Sequence, residues 1–283
     1  MAFTHLHVHT EFSLLDGSNK IKEYVARVKE LGMNSAAITD HGVMFGVIDF
    51  YKAAKAAGIN PILGCEVYVA PNSRFDREAA YGEDRYYHLV LLAENNEGYQ
   101  NLMKLVSEGF LTGYYYRPRI DYNLIRQHSE GLICLSACLS GDLPKLLLQG
   151  RYDDAEAYVR EMQDIFGEKN FYVEIMDHGI REEKIVMPRL ISLAREMNVP
   201  LVATNDCHYL EEKDADAQEV LLCIQTGKTL DDANRMRMDT RQLYVKSEDE
   251  MRTLFAACPD AVDRTQETVS YTHLRAHETR GNL

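Results

Sequence analysis

The chain has 283 residues, of which 46% are hydrophobic and 27% are charged, and its net charge is −13. This composition suits a large buried core in one α/β domain or two smaller ones, and it excludes an intrinsically disordered chain. Residues 1–10 resemble no signal peptide and no apolar run approaches the roughly 18 residues of a membrane span, so we expect a cytoplasmic protein.

Short apolar runs alternate with helical patterns along most of the chain. The predicted strands are residues 4–8, 35–39, 61–69, 88–93, 132–135, 171–175 and 201–204. A first helix begins near Ile21 and ends at Gly32, and further helices are predicted at residues 43–57, 97–108, 152–166, 182–197 and 214–224. This alternation predicts a mostly parallel sheet that closes into a barrel of about seven or eight strands.

The pattern weakens from Gln225 onward. Residues 247–258 are predicted to form one more helix, with Ser247 as its N-cap and Glu250 three residues later. Residues 270–283 are polar and without periodicity, and we interpret them as a non-native tail. We therefore expect a domain over residues 1–269, in which residues 225–269 are a transition toward a further domain.

Potential metal ligands lie at the ends of these apolar runs. Residues two apart in a strand point to the same face, so His7 and His9 present both imidazoles to one ion, and Asp206 and His208 repeat this spacing. Side chains at several strand ends converge on one site in a barrel enzyme. The nine donors are His7, His9, Asp16, His41, Glu66, His88, Cys138, Asp206 and His208.

Each position also has an ordinary structural interpretation. His5 lies deeper in the first strand, so a hydrogen-bonded barrel histidine is favoured there. Asp40 orients an imidazole or caps the following helix, and the sequence leaves both open. Asp16 is alternatively a turn aspartate, and Cys138 a buried thiol.

His88 does not fit a purely parallel barrel, because it precedes its apolar run instead of following it. We predict that residues 66–70 and 86–92 run partly antiparallel, which returns His88 to the mouth of the barrel. Nine donors are more than the four ligands of one tetrahedral ion. They suit two or three divalent ions of Zn, Mn or Fe, with Glu66 as a bridging carboxylate. Such ions activate water and neutralise a phosphoryl transition state, which indicates phosphoester hydrolysis.

These motifs resemble the PHP (polymerase and histidinol phosphatase) superfamily. The matching stretches are HLHVHTEFSLLDG at residues 5–17, ITDHG at 38–42, ENNEGYQNL at 94–102 and VATNDCH at 202–208. Within the superfamily they are similar to the N-terminal domain of the bacterial replicative DNA polymerase III alpha subunits. The resemblance implies a distorted (β/α)7 TIM-like barrel, of α/β class, with the nine donors above as metal ligands.

The resemblance also implies a function. Members with the full ligand set carry a metal-dependent 3'-5' exonuclease, and Asp40, His41 and Asp206 are expected to be catalytic. The family's chain continues into the polymerase domains, so we expect no DNA synthesis from this chain. The expected partners are a DNA primer 3' end, delivered by those domains, and other replisome subunits.

Nucleic-acid contacts are predicted for Tyr116, Arg117 and Arg119, because YYYRPR at residues 114–119 interleaves aromatic rings and cations. A packed surface loop is the alternative. The net charge of −13 argues against unaided binding of nucleic acid by this chain. Two other functions remain open: a small-molecule phosphatase of the histidinol phosphatase type, and a metal-stabilised scaffold without turnover.

Overall fold

The computed structural model describes residues 3–78 and 84–271 of the chain. Seven strands form one sheet in the order β1-β2-β3-β5-β6-β7, and β4 pairs with β2 outside that path. Their bounds are β1 (Ser35–Ile38), β2 (Asn60–Val69), β3 (Tyr87–Ala93), β4 (Arg119–Ile120), β5 (Leu132–Leu135), β6 (Phe171–Ile175) and β7 (Leu201–Ala203).

Helices follow most of the strands, as the alternating pattern predicts. Their bounds are α1 (Ile21–Glu30), α2 (Val47–Ala57), α3 (Asn96–Leu111), α4 (Tyr122–Gln127), α5 (Asp142–Leu148), α6 (Tyr152–Phe166), α7 (Arg181–Glu196), α8 (Ala215–Thr226), α9 (Glu248–Leu254) and α10 (Pro259–Tyr271). Helix α2 begins four residues later than the predicted 43–57, because Gly42 adopts a left-handed φ of 63° and starts a turn.

The direction of β3 differs from that of its neighbours. The pairs β1/β2, β5/β6 and β6/β7 are parallel, whereas β3 is antiparallel to both β2 and β5. In this register His88 lies opposite Tyr68, near the end of β2 that follows Glu66. The predicted antiparallel passage of residues 66–70 and 86–92 is therefore confirmed.

The predicted strand at residues 4–8 is wrong as a regular strand. This segment is extended and lies between β1 and the chain that follows β7. The Thr39 N–H donates to the Val8 carbonyl at 2.8 Å, and the Cys207 N–H donates to the His7 carbonyl at 3.1 Å. These few bonds form a single isolated bridge at Val8 instead of a continuous ladder, so the barrel closes through an irregular seam.

The two faces of the sheet follow the alternation of side chains along each strand. One set of buried residues packs against the helices, and a second set fills the interior of the barrel. The interior set includes Ile62, Leu92 and Tyr172. Glu66 and Glu174 lie an even number of residues from Ile62 and Tyr172, so their carboxylates extend the interior rows toward one end of the barrel.

The C-terminal helices belong to the same body as the barrel. Met251 and Val262 are buried in the main core, and the Thr4 N–H donates to Thr265 Oγ1 at 3.1 Å. The Ser247 and Glu250 capping box is confirmed, but the predicted helix 247–258 ends at Leu254, before α10 begins. Residues 270–283 are the segment that we interpret as a non-native tail, and from residue 272 onward this segment lies outside the described residues. None of the helices in the described ranges has the length and apolarity that a membrane crossing requires.

Candidate metal centre

All nine predicted donors meet at one end of the barrel, around the buried carboxylate of Glu66. Glu66 Oε2 lies 2.8 Å from His7 Nε2 and 3.8 Å from His9 Nε2. Its other oxygen, Oε1, lies 2.6 Å from His41 Nδ1 and 2.8 Å from His88 Nδ1. One carboxylate therefore faces four imidazoles, which is the position that a bridging ligand requires.

The remaining donors surround this centre. Asp206 Oδ1 lies 3.0 Å from His9 Nε2 and 3.6 Å from His208 Nδ1. Asp16 Oδ2 lies 2.9 Å from His41 Nε2 and 3.7 Å from His208 Nε2. The Cys138 sulfur is 3.8 Å from His88 Nδ1. His88 therefore lies at the cluster and not at the opposite rim, as the antiparallel β3 requires.

Within the cluster, three overlapping groups of donor atoms each fit inside 4.8 Å. Each shares at least one member with another group, so the arrangement suits several ions with common ligands and not one closed tetrahedral site. The groups are His9, His41 and His208; His7, His9, Glu66 and Asp206; and His41, Glu66 and His88.

Strained backbone is concentrated at this site. Of the five non-glycine residues with left-handed φ in the described ranges, Asp206 (φ 40°) is itself a donor, while Leu15 (φ 62°) and Ala137 (φ 63°) directly precede Asp16 and Cys138. Such conformations cost roughly 1 to 3 kcal/mol each and persist where the surrounding structure imposes them, commonly at functional sites.

His7 is held by a carboxylate that the sequence analysis missed. Its Nδ1–H donates to Glu174 Oε1 at 2.8 Å, and Thr204 Oγ1 donates to the same oxygen at 2.5 Å. This contact holds a proton on His7 Nδ1, so Nε2, which lies 2.8 Å from Glu66 Oε2, is the nitrogen that faces the other donors. The available indication was a glutamate inside the otherwise apolar strand β6, at an interior position.

Asp40 acts on His9 indirectly, through Ser13. The Ser13 hydroxyl donates to Asp40 Oδ1 at 2.7 Å, and the Thr10 N–H and hydroxyl also donate to Asp40. Asp40 therefore positions the turn that carries Ser13, and neither capping of α2, whose N-cap is Gly46, nor a catalytic role is supported. His5 is a hydrogen-bonded barrel histidine, as predicted, because its Nε2 contacts the Lys246 carbonyl at 2.8 Å.

The hydrogen bonds of Ser13 determine the tautomer of His9. A hydroxyl has one proton and two acceptor positions, and here the proton is directed to Asp40. Ser13 Oγ therefore accepts from His9 Nδ1–H at 2.9 Å and from the His41 N–H at 3.1 Å. Burial, with repulsion from His41 and His208, lowers the pKa of His9 to about 3, so this ring is neutral. Its Nε2 lone pair points into the cluster.

The residues present fit a bound cation. His9 Nε2 and Asp206 Oδ1 face each other at 3.0 Å, yet both are buried and neither has a hydrogen-bond partner. Two acceptor atoms in this arrangement suit a shared positive centre, because unpartnered buried polar atoms are costly. Imidazole, carboxylate and thiol together suit Zn, Mn or Fe.

The pKa values of other ionisable groups in the cluster are shifted by burial and by the charges of their neighbours. Burial alone would lower the pKa of His41, but the carboxylates of Glu66 and Asp16 raise it to about 10. Burial would raise the pKa of Glu66, but His88 and His41 hold it well below its ordinary value. Burial raises the pKa of the Cys138 thiol, and the Asp206 and Glu66 carboxylates add to this, so a cation is needed to stabilise the thiolate.

The three predicted nucleic-acid contacts have different positions. Tyr116 and Arg117 are exposed and line the same cavity as His41 and His88. Arg119 is only 2% exposed, and its guanidinium donates to backbone carbonyls, including those of Gly113 and Arg85. Arg119 therefore stabilises the surrounding loops, and its prediction as a nucleic-acid contact is not supported.

Known proteins resemble this chain over most of its length. The chain is 49% identical over 275 residues to the DNA polymerase III subunit alpha of Treponema pallidum, covering 97% of this chain and 24% of that protein. It is 48% identical over 257 residues to the DNA polymerase III subunit alpha of Thermus aquaticus, covering 90% of this chain and 21% of the relative. The chain thus spans about a quarter or less of these relatives, and the resemblance inferred from its motifs is confirmed.

A solved structure also resembles the fold. It is described as a putative metal-dependent phosphoesterase from Bifidobacterium adolescentis, with 13% identity and a TM-score of 0.46, and the match covers 73% of this chain and 88% of that one. This likeness is too distant to bear on function. The PHP domain family matches residues 5–178, which is more than half of the chain. The chain therefore belongs to the PHP domain family.

Proposed function

We propose that this chain is a metal-dependent phosphodiesterase that removes nucleotides from DNA 3' ends within a DNA polymerase III alpha subunit. The relatives named above bear that name, and the donors form one cluster. Polymerase domains of the full-length protein deliver the primer end, other replisome subunits act beside them, and the location is cytoplasmic.

The observation that carries the proposal is the pair His9 Nε2 and Asp206 Oδ1. Both are acceptors, both are buried, and they lie 3.0 Å apart without a hydrogen-bond partner. A structural histidine would share a proton with its carboxylate, but Ser13 has already placed the His9 proton on Nδ1. The pair therefore supports the proposal of a bound cation at this position.

Two or three divalent ions of Zn, Mn or Fe are proposed to bind the nine donors. When bound, such ions lower the pKa of water and neutralise negative charge on a phosphoryl group in the transition state. The protein holds the donors in place through Glu174 at His7, and through Ser13 and Asp40 at His9. Because the donor side chains are mostly buried, they exclude bulk water from one side of the reacting phosphate.

Arg117 and Tyr116 line the solvent-exposed side of the site. Arg117 lies with its guanidinium 5.6 Å from the centre of the Tyr68 ring, and Tyr68 in turn stacks at 6.3 Å from His41. Arg117 also lines the cavity that contains His41, where its charge can attract the phosphates of a bound strand. Asp16 and His41 line the same cavity as Arg117.

The test is release of nucleotides from a 5'-labelled oligonucleotide with a mismatched 3' end, by purified full-length protein loaded with Mn or Zn. We expect progressive shortening from the 3' end, which Asp206→Asn and His9→Ala reduce by at least about 100-fold, as loss of transition-state charge stabilisation does. Asp177→Asn changes a carboxylate near the same strand ends but outside the cluster, and it should retain activity.

Three other results would refute the proposal. Hydrolysis of histidinol phosphate without any action on DNA ends would identify a small-molecule phosphatase. Loss of folding on chelation, together with no hydrolysis by the metal-loaded protein, would identify a scaffold. Nucleotide release that Asp206→Asn does not reduce would show that the activity comes from another site.

A further inference from the structure

The mouth of the metal cavity is surrounded by exposed apolar side chains. We call these the apolar rim: Leu14, Phe45, Phe110, Tyr114, Tyr116 and Met236, which are between 42% and 67% exposed. They line one cavity of about 480 Å³ together with Asp16, His41 and His88. Single exposed apolar residues are normal on a protein surface, but a group that lines one cavity indicates a binding site.

The rim is attached to the metal cluster through the chain itself. Leu14 lies two residues before Asp16, and Phe45 lies four residues after His41. The rings of Phe110 and Tyr114, which line the same cavity, are 6.3 Å apart and tilted by 31°. The rim therefore offers flat apolar surfaces beside the donors, where a ligand with rings can contact both.

The charge of the cavity restricts the ligand further. Among its described lining residues, Arg117 is the one lysine or arginine, and the whole chain has a net charge of −13. A ligand held mainly by its phosphates needs several cations, whereas single-stranded nucleic acid also binds through stacking of its bases on aromatic side chains. The rim suits the second mode.

We propose that the apolar rim binds the unpaired nucleobases at the 3' end of a single strand and places the terminal phosphodiester at the metal cluster. This inference rests on the proposed function and adds a physical reason why unpaired 3' ends are selected over paired ones. Bases within a duplex hide their faces against their neighbours, so only frayed or mismatched ends present them to the rim. Arg117 then contacts a backbone phosphate.

The test uses two rim variants, Phe45→Ala and Phe110→Ala, and a control, Phe75→Ala. Phe75 is an aromatic residue of similar exposure, 58%, that does not line the cavity. Binding is measured by the fluorescence quenching of 2-aminopurine at the 3' end of a single-stranded oligonucleotide. Turnover is measured as the ratio of kcat/KM for that oligonucleotide to kcat/KM for an oligonucleotide of the same length whose 3'-terminal nucleotides are replaced by stable abasic residues, which offer no base to the rim.

We expect the wild-type protein to quench 2-aminopurine and each rim variant to weaken oligonucleotide binding about 5- to 150-fold, the usual range for one stacked base. The turnover ratio should fall by a similar factor in the rim variants and stay constant in Phe75→Ala. Thermal unfolding of every variant checks its folding, and the two rim variants come from separate segments, so misfolding of one leaves the other informative.

The inference and the proposed function fail in different ways. If the wild-type protein hydrolyses the oligonucleotide but does not quench 2-aminopurine, the rim does not bind bases and serves as a contact for a protein partner. Equal binding by wild-type protein and both rim variants would also overturn the inference. If the wild-type protein hydrolyses neither substrate, the proposed function fails, while the quenching experiment still tests base binding.

Discussion

Replacing Glu174 by glutamine tests how the protein prepares His7 to bind a metal ion. The carboxylate oxygen Oε1 accepts from His7 Nδ1 at 2.8 Å and from Thr204 Oγ1 at 2.5 Å, and both Glu174 and His7 are buried. Glutamine keeps a carbonyl oxygen for these donors but removes the negative charge. It also places an amide N–H where Glu174 Oε2 has no partner.

The magnitude follows from these contacts. A hydrogen bond to a charged group contributes about 1.5 to 3 kcal/mol and a neutral one about 0.5 to 1.5 kcal/mol, so Glu174→Gln should weaken the support of His7 by about 1 to 1.5 kcal/mol. This corresponds to about a tenfold loss of metal affinity, at the lower end of the usual range for such outer contacts. The measurement is the dissociation constant for Zn, obtained by competition with a chromogenic chelator.

The matched control is Asp121→Asn, which removes the charge of a carboxylate that is equally buried, 1% exposed, but pairs with Arg74. It should lower the free energy of unfolding without weakening Zn binding. If Glu174→Gln binds Zn as tightly as the wild-type protein, or if both variants lose affinity equally, the assigned role of Glu174 is refuted.

Metal binding should release protons, because His41 has a pKa of about 10 without metal and must become neutral as a ligand. Calorimetry in buffers of different ionisation enthalpy checks this, and a buffer-independent enthalpy would contradict it. In the metal-free protein, charged His41 is stabilised by the carboxylates of Glu66 and Asp16. Its contribution to the free energy of unfolding is therefore complete below pH 6.5 and is lost as the pH rises through about 10, which urea unfolding measures. Ser13→Ala removes the acceptor of His9 Nδ1 and should lower Zn affinity about tenfold. An unchanged Zn affinity would show that another contact determines the tautomer of His9. Gly42→Ala should lower the free energy of unfolding by about 1 to 3 kcal/mol, since φ is 63° and a Cβ would lie 2.8 Å from the Tyr68 ring; an unchanged unfolding midpoint would contradict this.

The convergence of the donors is predictable from the sequence because most of them lie at or near an end of a buried apolar run. Apolar runs locate the strand ends, and the ends of neighbouring strands share one rim of a barrel. His88 extends this reasoning, since its position at the start of β3 is compatible with the cluster only if β3 is reversed, as the structure shows. The resemblance to PHP domains added the identity of the ligand set.

Other features depend on contacts that the local pattern does not encode. Residues 4–8 alternate like a strand, but the same alternation occurs in an extended segment whose backbone pairs at isolated positions. Arg119 was interpreted from an aromatic and basic run, yet it lies in the two-residue strand β4, where its side chain turns inward to loop carbonyls. The role of Glu174 is not readable from the local pattern because its partner His7 lies 167 residues away in the chain. Ser13 is close to His9 in sequence, but the direction of its hydroxyl proton is determined by Asp40, 27 residues further along.

The most direct test of a shared metal centre is an anomalous-scattering map from crystals of the protein grown with Mn or Zn. We expect two or three peaks inside the cluster, one of them within coordination distance of His9 Nε2 and Asp206 Oδ1 and another beside Glu66. A cluster without any peak, at metal concentrations that support activity, would contradict it.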